Sequence, residues 1–208
     1  MISSQQGFLL TRQWRDSHDS VELDFWIATD AGPVQLRVAA QESVFFLRCD
    51  DQQQAKKLLL DIAGWHSSAV AMKTFCGQPV MAYYFKQQRQ LRIARERLRE
   101  AGLDPLEADI NPCDRYLMER FILGSLMVKG HARQNRGYLD YRQPEMAASL
   151  YQPALKVISL DIETAIDQLQ LFSIAVYAQL AGTELRRVFM LAGHDLGVGA
   201  RDGQAGVH

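Results

Sequence analysis

Apolar and polar residues alternate along the opening of the chain with the period of two that marks half-buried strands. Residues 7–14 run into a polar break, Asp16-Ser17-His18-Asp19-Ser20, and residues 21–27 (Val-Glu-Leu-Asp-Phe-Trp-Ile) then alternate cleanly. Asp30-Ala31-Gly32-Pro33 reads as a turn, residues 34–38 alternate again, and residues 43–47 form a further short strand. This order predicts an antiparallel meander. From Asp51 the spacing changes. Ala55, Leu58, Leu59 and Ile62 recur at helical intervals, which predicts a helix over 51–63 with Asp50 or Asp51 as its cap and Gly64 past its end. Strand character returns over 79–85. Residues 86–101 predict the strongest helix of the chain, closed by Gly102. Residues 106–110 read as a strand. Asn111, Pro112 and Asp114 then suit the cap, first position and first turn of a helix over 112–122.

Residues 129–151 begin polar and basic, with two glycines and a proline, and read as a long connection. They place a domain boundary between residues 1–151 and 152–208. Three more strand-like runs follow, over 155–162, 171–178 and 186–191, and residues 193–208 form a glycine-rich tail without periodicity. The fold class expected is α+β. An antiparallel-sheet domain with helices packed on it precedes a short second part built of three strands.

Composition narrows the functional classes. The 208 residues are 48% hydrophobic and carry a formal net charge of -1, so a nucleic-acid partner must be held by a local patch rather than by overall charge. Cys49, Cys76 and Cys113 are far apart and form no Cys-x-x-Cys pair, which argues against a disulfide frame or a zinc site. The N-terminus lacks a charged segment followed by an apolar run, and no apolar stretch approaches the roughly 18 residues of a membrane span. The expectation is a soluble, cytoplasmic protein.

The sharpest chemical feature is Val157-Ile158-Ser159-Leu160-Asp161-Ile162-Glu163-Thr164, an apolar strand ending in two carboxylates. Residues two apart on a strand share a face, so Asp161 and Glu163 point together. Two close carboxylates resist joint ionisation unless a cation lies between them, and oxygen ligands suit Mg²⁺ or Mn²⁺. A solvated strand face is the plain alternative, and Glu107-Ala108-Asp109 has the same spacing with no role assigned. The second feature is an arginine stripe. Arg89, Arg92, Arg95 and Arg99 fall within one arc of the 86–101 helix, opposite Leu91, Ala94, Leu98 and Ala101. Such a row suits a nucleic-acid backbone, or it is a solvated face pairing with Glu96 and Glu100. Phe45, Phe46, Tyr83, Tyr84 and Phe85 are read as core rather than as a base-stacking surface. Gly197, Gly199 and Gly203 imitate a phosphate loop but follow no strand, and are read as tail.

The segment Lys156-Val157-Ile158-Ser159-Leu160-Asp161-Ile162-Glu163-Thr164 resembles the first exonuclease motif of B-family DNA polymerases. Glu107-Ala108-Asp109-Ile110 and Asp114-Arg115-Tyr116-Leu117-Met118-Glu119-Arg120-Phe121-Ile122 are similar to the stretch that precedes that motif. Gly7-Phe8-Leu9-Leu10-Thr11-Arg12-Gln13-Trp14-Arg15-Asp16, Phe25-Trp26-Ile27-Ala28-Thr29-Asp30 and Gln41-Glu42-Ser43-Val44 are similar to bacterial members of the family. The likeness extends over about residues 7–191. It implies a DNA-directed DNA polymerase of replication and repair with a 3′-to-5′ proofreading exonuclease of ribonuclease-H-like fold. Residues 1–151 would be its template-contacting domain and residues 152–208 the opening strands of the exonuclease. Asp161 and Glu163 would be catalytic metal ligands for Mg²⁺ or Mn²⁺. The implied partners are DNA template and primer, dNTPs and a sliding clamp.

The family's later exonuclease motifs (Asn-x-x-x-Phe-Asp, Tyr-x-x-x-Asp) and its polymerase motifs (Asp-x-x-Ser-Leu-Tyr-Pro, Tyr-Gly-Asp-Thr-Asp) are absent, and 45 residues follow Glu163. The expectation is an N-terminal piece of a longer polymerase, inactive alone. The alternatives are a small free-standing exonuclease, a nucleic-acid-binding module without catalysis, and a metal-dependent metabolic enzyme. Without later helices, Val157, Ile158, Phe172, Ile174, Val176, Val188 and Phe189 would lack cover, which predicts a dimer through these strands or a segment that opens easily.

Overall fold

Residues 2–166, 170–180 and 182–191 are described in the computed structural model. The tail glycines Gly197, Gly199 and Gly203 lie outside them. The chain divides into two units, Met1–Pro153 and Ala154–His208.

The first unit opens with β1 (Ile2–Asp16), β2 (Val21–Thr29) and β3 (Gly32–Gln41), an antiparallel meander. The alternation is realised residue by residue: Val21, Leu23, Phe25 and Ile27 are buried, while Glu22, Asp24 and Trp26 point the other way. The chain then leaves this sheet. β4 (Ser43–Arg48), a 3₁₀ turn (Cys49–Asp51), α1 (Gln52–Leu58), β5 (Trp65–Lys73), β6 (Pro79–Phe85) and α2 (Gln88–Glu100) make a lobe with its own antiparallel sheet, in the order β4-β6-β5. Its core joins Phe45, Leu47, Tyr83 and Phe85 from the sheet to Leu91, Ala94 and Leu98 of α2. Most of the aromatic run is core, as expected, with Phe45, Tyr83 and Phe85 wholly buried and Phe46 buried on the other face of the sheet; Tyr84 is only half-buried and stacks on His66 at 5.0 Å.

The chain returns through α3 (Pro112–Met118), β7 (Ser125–Asn135), β8 (Tyr138–Arg142) and β9 (Glu145–Ala148). β8 pairs parallel with β3, β7 pairs with β8, and β7 also pairs with the first half of β1. The strands thus close on themselves in the order β1-β2-β3-β8-β7-β1, with β9 added outside β7. Cys113, Tyr116 and Leu117 of α3 join the core of this barrel. The buried Tyr141 hydroxyl hydrogen-bonds Ser3 Oγ at 2.7 Å and accepts from Gln5 Nε2 at 3.2 Å, which ties β8 to β1.

Several expectations are corrected here. Residues 129–151 are no connection: their inward positions feed the barrel, and the polar outward ones imitate a loop. Tyr141 on β8 and Met146 on β9 are buried in the core, and Gly137, at φ +86°, turns β7 into β8. The 51–63 helix stops at Leu58, because Trp65 Nε1 donates to the Leu59 carbonyl at 2.9 Å and draws the chain out. Asp51 does not cap α1; its carboxylate accepts from Arg48 Nε at 3.0 Å. Residues 106–110 contribute a single bridge, Leu106 to Phe46, rather than a strand. The helix expected over 112–122 ends at Met118. Its Asn111 cap holds, with Oδ1 accepting from Cys113 N at 2.9 Å. β5 was not legible, since most of its residues are exposed and their pattern lacks contrast.

The second unit is the antiparallel sheet β10 (Val157–Thr164), β11 (Leu171–Leu180) and β12 (Thr183–Met190). The register places Asp161 opposite Ala175 and Glu163 opposite Ser173. Ile158, Leu160 and Ile162 lie on the other face with Ile174, Val176 and Phe189. Ile158, Leu160 and Phe189 are 60%, 63% and 60% exposed, so this apolar face is open in the unit.

Candidate functional site

Asp161 and Glu163 share one face of β10 and both are exposed. Beside Asp161 a recess of about 540 Å³ opens over the sheet, bordered by Ser159, Tyr177 and Arg186. The Arg186 guanidinium donates to Glu184 at 2.6 Å and lies 5.7 Å from the centre of the Tyr177 ring. Its pairing with Glu184 holds that carboxyl below the ordinary carboxylate range. The acidic pair therefore sits on an open, mixed-charge sheet face. Among the described residues no third His, Cys, Asp or Glu joins it to complete a metal cluster. Two oxygen-bearing side chains suit a hydrated Mg²⁺ that takes further oxygens from water and phosphate, and they fall short of an all-protein cage.

The arginine stripe is partly absorbed into the fold. The Arg89 Nε donates to Gln87 Oε1 at 2.9 Å, Arg92 lies over the Trp14 ring at 5.5 Å, and Arg95 pairs with Glu96 at 2.7 Å and reaches the Ala108 carbonyl at 3.3 Å. Arg99 is exposed. The opposite face packs as the spacing predicts, with Leu91, Ala94 and Leu98 buried.

Two features escaped sequence reasoning. The α2 N-terminus is capped from outside the helix, by Asp16 of β1: its carboxylate accepts from Gln88 N at 2.7 Å and Arg89 N at 3.0 Å. No local signal announces a cap so distant in sequence. The second is the outer face of the barrel, where Asp140 is buried beneath Arg37, which donates to it at 3.1 and 2.8 Å. The Arg142 Nε lies 3.6 Å from the same carboxylate. The signal was present in the outward half of the β2 and β3 alternation, but it became a cluster only when β8 joined them.

The division of the first unit has a counterpart among known proteins. Residues 7–42 match the family model described as DNA polymerase II, N-terminal, and residues 43–103 match DNA polymerase II, insertion domain. The second match begins at Ser43, where the chain leaves the barrel for β4, and ends just past α2. The chain is 42% identical over 161 residues to DNA polymerase II of Escherichia coli (strain K12), which covers 77% of this chain and 20% of that protein. Over these residues the chain is homologous to the N-terminal part of DNA polymerase II. The fold agrees: the structure of the family B DNA polymerase from the hyperthermophilic archaeon Pyrobaculum calidifontis superposes with a TM-score of 0.69 at 22% identity, over 91% of this chain and 27% of that one. The chain thus spans about a fifth of the length of the bacterial polymerase it matches.

Proposed function

We propose that the chain supplies the N-terminal and insertion domains of a DNA-directed DNA polymerase, together with the opening strands of its 3′-to-5′ proofreading exonuclease. The polymerase would act on template and primer with dNTPs, in replication and repair synthesis in the cytoplasm. The observation that carries this reading is the head-to-tail match of two polymerase II domain models over residues 7–103, with the junction at the point where the chain leaves the barrel.

On this reading Asp161 and Glu163 would hold Mg²⁺ or Mn²⁺. The metal would supply charge to a phosphodiester oxygen and lower the pKa of a bound water. The chain's own part is to hold both carboxylates on one face of β10, opposite Ala175 and Ser173, where small side chains leave room above the strand. The incomplete ligand set leads to an expected outcome: the 208-residue chain alone has neither polymerase nor exonuclease turnover. In a polymerase chain extended with the remaining domains, Asp161→Ala should lower single-strand 3′-to-5′ degradation by at least about a hundredfold and leave primer extension intact. Unchanged degradation in that variant would refute the role of the pair. A sliding clamp and a dimer through the open face of β10–β12 complete the proposed partners.

A further inference from the structure

The sheet of the lobe, in the order β4-β6-β5, has two unlike edges. The β4 edge is closed by Leu106, which exchanges backbone hydrogen bonds with Phe46 at 2.8 and 3.0 Å. β5 pairs with β6 on one side, and among the described residues no strand pairs with its other side. Such an edge presents a row of unpaired N–H and C=O groups, the template that strand addition uses. Folded proteins commonly blunt an open edge with proline, charged side chains or a bulge. From Trp65 to Met72 the strand reads Trp-His-Ser-Ser-Ala-Val-Ala-Met, without proline, lysine, arginine or carboxylate. Its register on β6 slips only between Ala69 and Lys73, so residues 65–69 offer a regular edge.

Two further observations define what the edge would accept. The turn from β5 into β6 is fixed by hydrogen bonds from Thr74 N to the Gln78 carbonyl at 2.8 Å and from Gly77 N to the Thr74 carbonyl at 2.9 Å. That turn holds Phe75 wholly exposed, three residues after Met72, which is 47% exposed. Apolar surface held out in this way gains from being covered. The ends of the strand are basic. Lys73 closes β5, and Lys86 N donates to the Gly64 carbonyl at 2.9 Å, which sets Lys86 beside the start of β5. Both lysines are exposed, and neither has an ion pair among the described residues. Glu42, near the same end, lies 3.6 Å from His66 Nδ1.

We infer that β5 takes up an extended peptide of a partner protein as an added strand, one with carboxylates near both ends, an uncharged middle and an apolar side chain to cover Met72 and Phe75. A second copy of this chain is a poorer occupant. Antiparallel pairing about Ala69 would set Lys73 of each copy opposite Trp65 of the other, next to its Lys86, and bring like charges together. A nucleic acid is poorer too. Its phosphates repeat at every nucleotide, whereas this edge has cations only at its ends, roughly 30 Å apart on strand geometry. The inference concerns the lobe alone and stands independently of the polymerase reading.

The test uses the intact chain and a fluorescently labelled peptide of nine residues, the length of β5, with glutamate at both ends and threonine and valine alternating between. Fluorescence anisotropy should show binding at peptide concentrations below about 1 mM. The same peptide with lysine at both ends should bind about tenfold more weakly. Methylating every second backbone nitrogen blocks one edge of the peptide or the other, so one of the two methylated forms should stop binding and the other should not. Lys73→Glu should erase the preference between the acidic and basic peptides, and Phe75→Ala should weaken binding about fivefold. Both side chains are exposed, so both variants should keep the parent circular dichroism. Bound peptide should slow hydrogen exchange in β5 and leave β9 and β10–β12 unchanged. The inference is overturned by absence of binding, by equal affinity for the two peptides, by binding of both methylated forms, or by protection on another strand. Displacement of the peptide by oligothymidylate with the same protection of β5 would make the edge a nucleic-acid surface. A sedimenting dimer that Phe75→Ala dissociates would make it a contact between copies, and either result overturns the inference equally.

Discussion

Tyr83 and Cys113 show what burial does to single groups. The Tyr83 hydroxyl is buried in the lobe core with no hydrogen-bond partner among the described residues. A buried hydroxyl without a partner costs about 1–3 kcal/mol. Tyr83→Phe keeps the ring that stacks on Phe45 at 5.6 Å and removes the orphan, so urea denaturation should show a variant at least as stable as the parent, by up to about 1 kcal/mol. A clear loss of stability would mean that the hydroxyl has a partner. Burial also pushes the Tyr83 phenol up to about 12 from 10.0 and the Cys113 thiol up to about 12 from 9.0. Each folded group keeps a proton that the unfolded chain releases first. Their contribution is therefore whole below about pH 9 and is lost as the pH rises through 9 toward 12. The slope is about 1.4 kcal/mol per pH unit for each group once its unfolded form is ionised. Stability measured at a series of alkaline pH values should fall accordingly. Cys113→Ala should flatten the first part of that fall, and an unchanged profile would count against the thiol.

At the scale of elements, two helix ends carry expected outcomes. Asp16 is the cap that α2 lacks in its own sequence, and it fastens the lobe to β1. Gln87 adds a second tie, donating from Nε2 to the His18 carbonyl at 3.0 Å. Asp16→Ala should destabilise the chain by about 1–2 kcal/mol, with Asp16→Asn losing less, as read by thermal unfolding. Equal losses would mean that the carboxylate acts through charge alone. α3 ends in the bonding pattern of a glycine-terminated helix: Ile122 N reaches the Leu117 carbonyl and Phe121 N the Met118 carbonyl, both at 3.0 Å. The residue at the left-handed position is nevertheless Phe121, at φ +55° and 83% exposed. Phe121→Gly should raise stability by about 1 kcal/mol, since the strain goes and little packing is lost. The α2 terminus shows the ordinary solution. Gly102, at φ +79°, lets Leu103 N reach the Leu98 carbonyl at 2.9 Å. That end was legible from the glycine. The α3 end was not, because a phenylalanine gives no sign that the chain turns left-handed.

For the whole molecule, the two units differ in what covers them. The first buries one core in the barrel and two apolar clusters in the lobe. The second is one sheet with an open apolar face, and Ala178 is its one fully buried apolar residue among those described. Amides of β10–β12 should therefore exchange with solvent much faster than those of α2, unless self-association protects them. Hydrogen exchange with sedimentation at matched concentrations checks this. Protection equal to α2 in a monomeric sample would contradict it.

The sequence by itself determined whatever depends on neighbours in the chain. The strands of the meander, β6, the buried stripe of α2, the Asn111-Pro112 helix start and the shared face of Asp161 and Glu163 all follow from periods and caps that span a few residues. The tertiary structure decided what depends on residues far apart. It recruited residues 125–142 as barrel strands, because pairing with β1 and β3 satisfies backbone groups that a solvated loop would have left to water. It reserved Arg89, Arg92 and Arg95 for nearby partners, capped α2 with a residue of β1, and set the arginines of β3 and β8 beside one buried carboxylate. Hydrogen bonds and burial are settled by proximity in space, and a linear pattern records only the half of that proximity that lies along the chain.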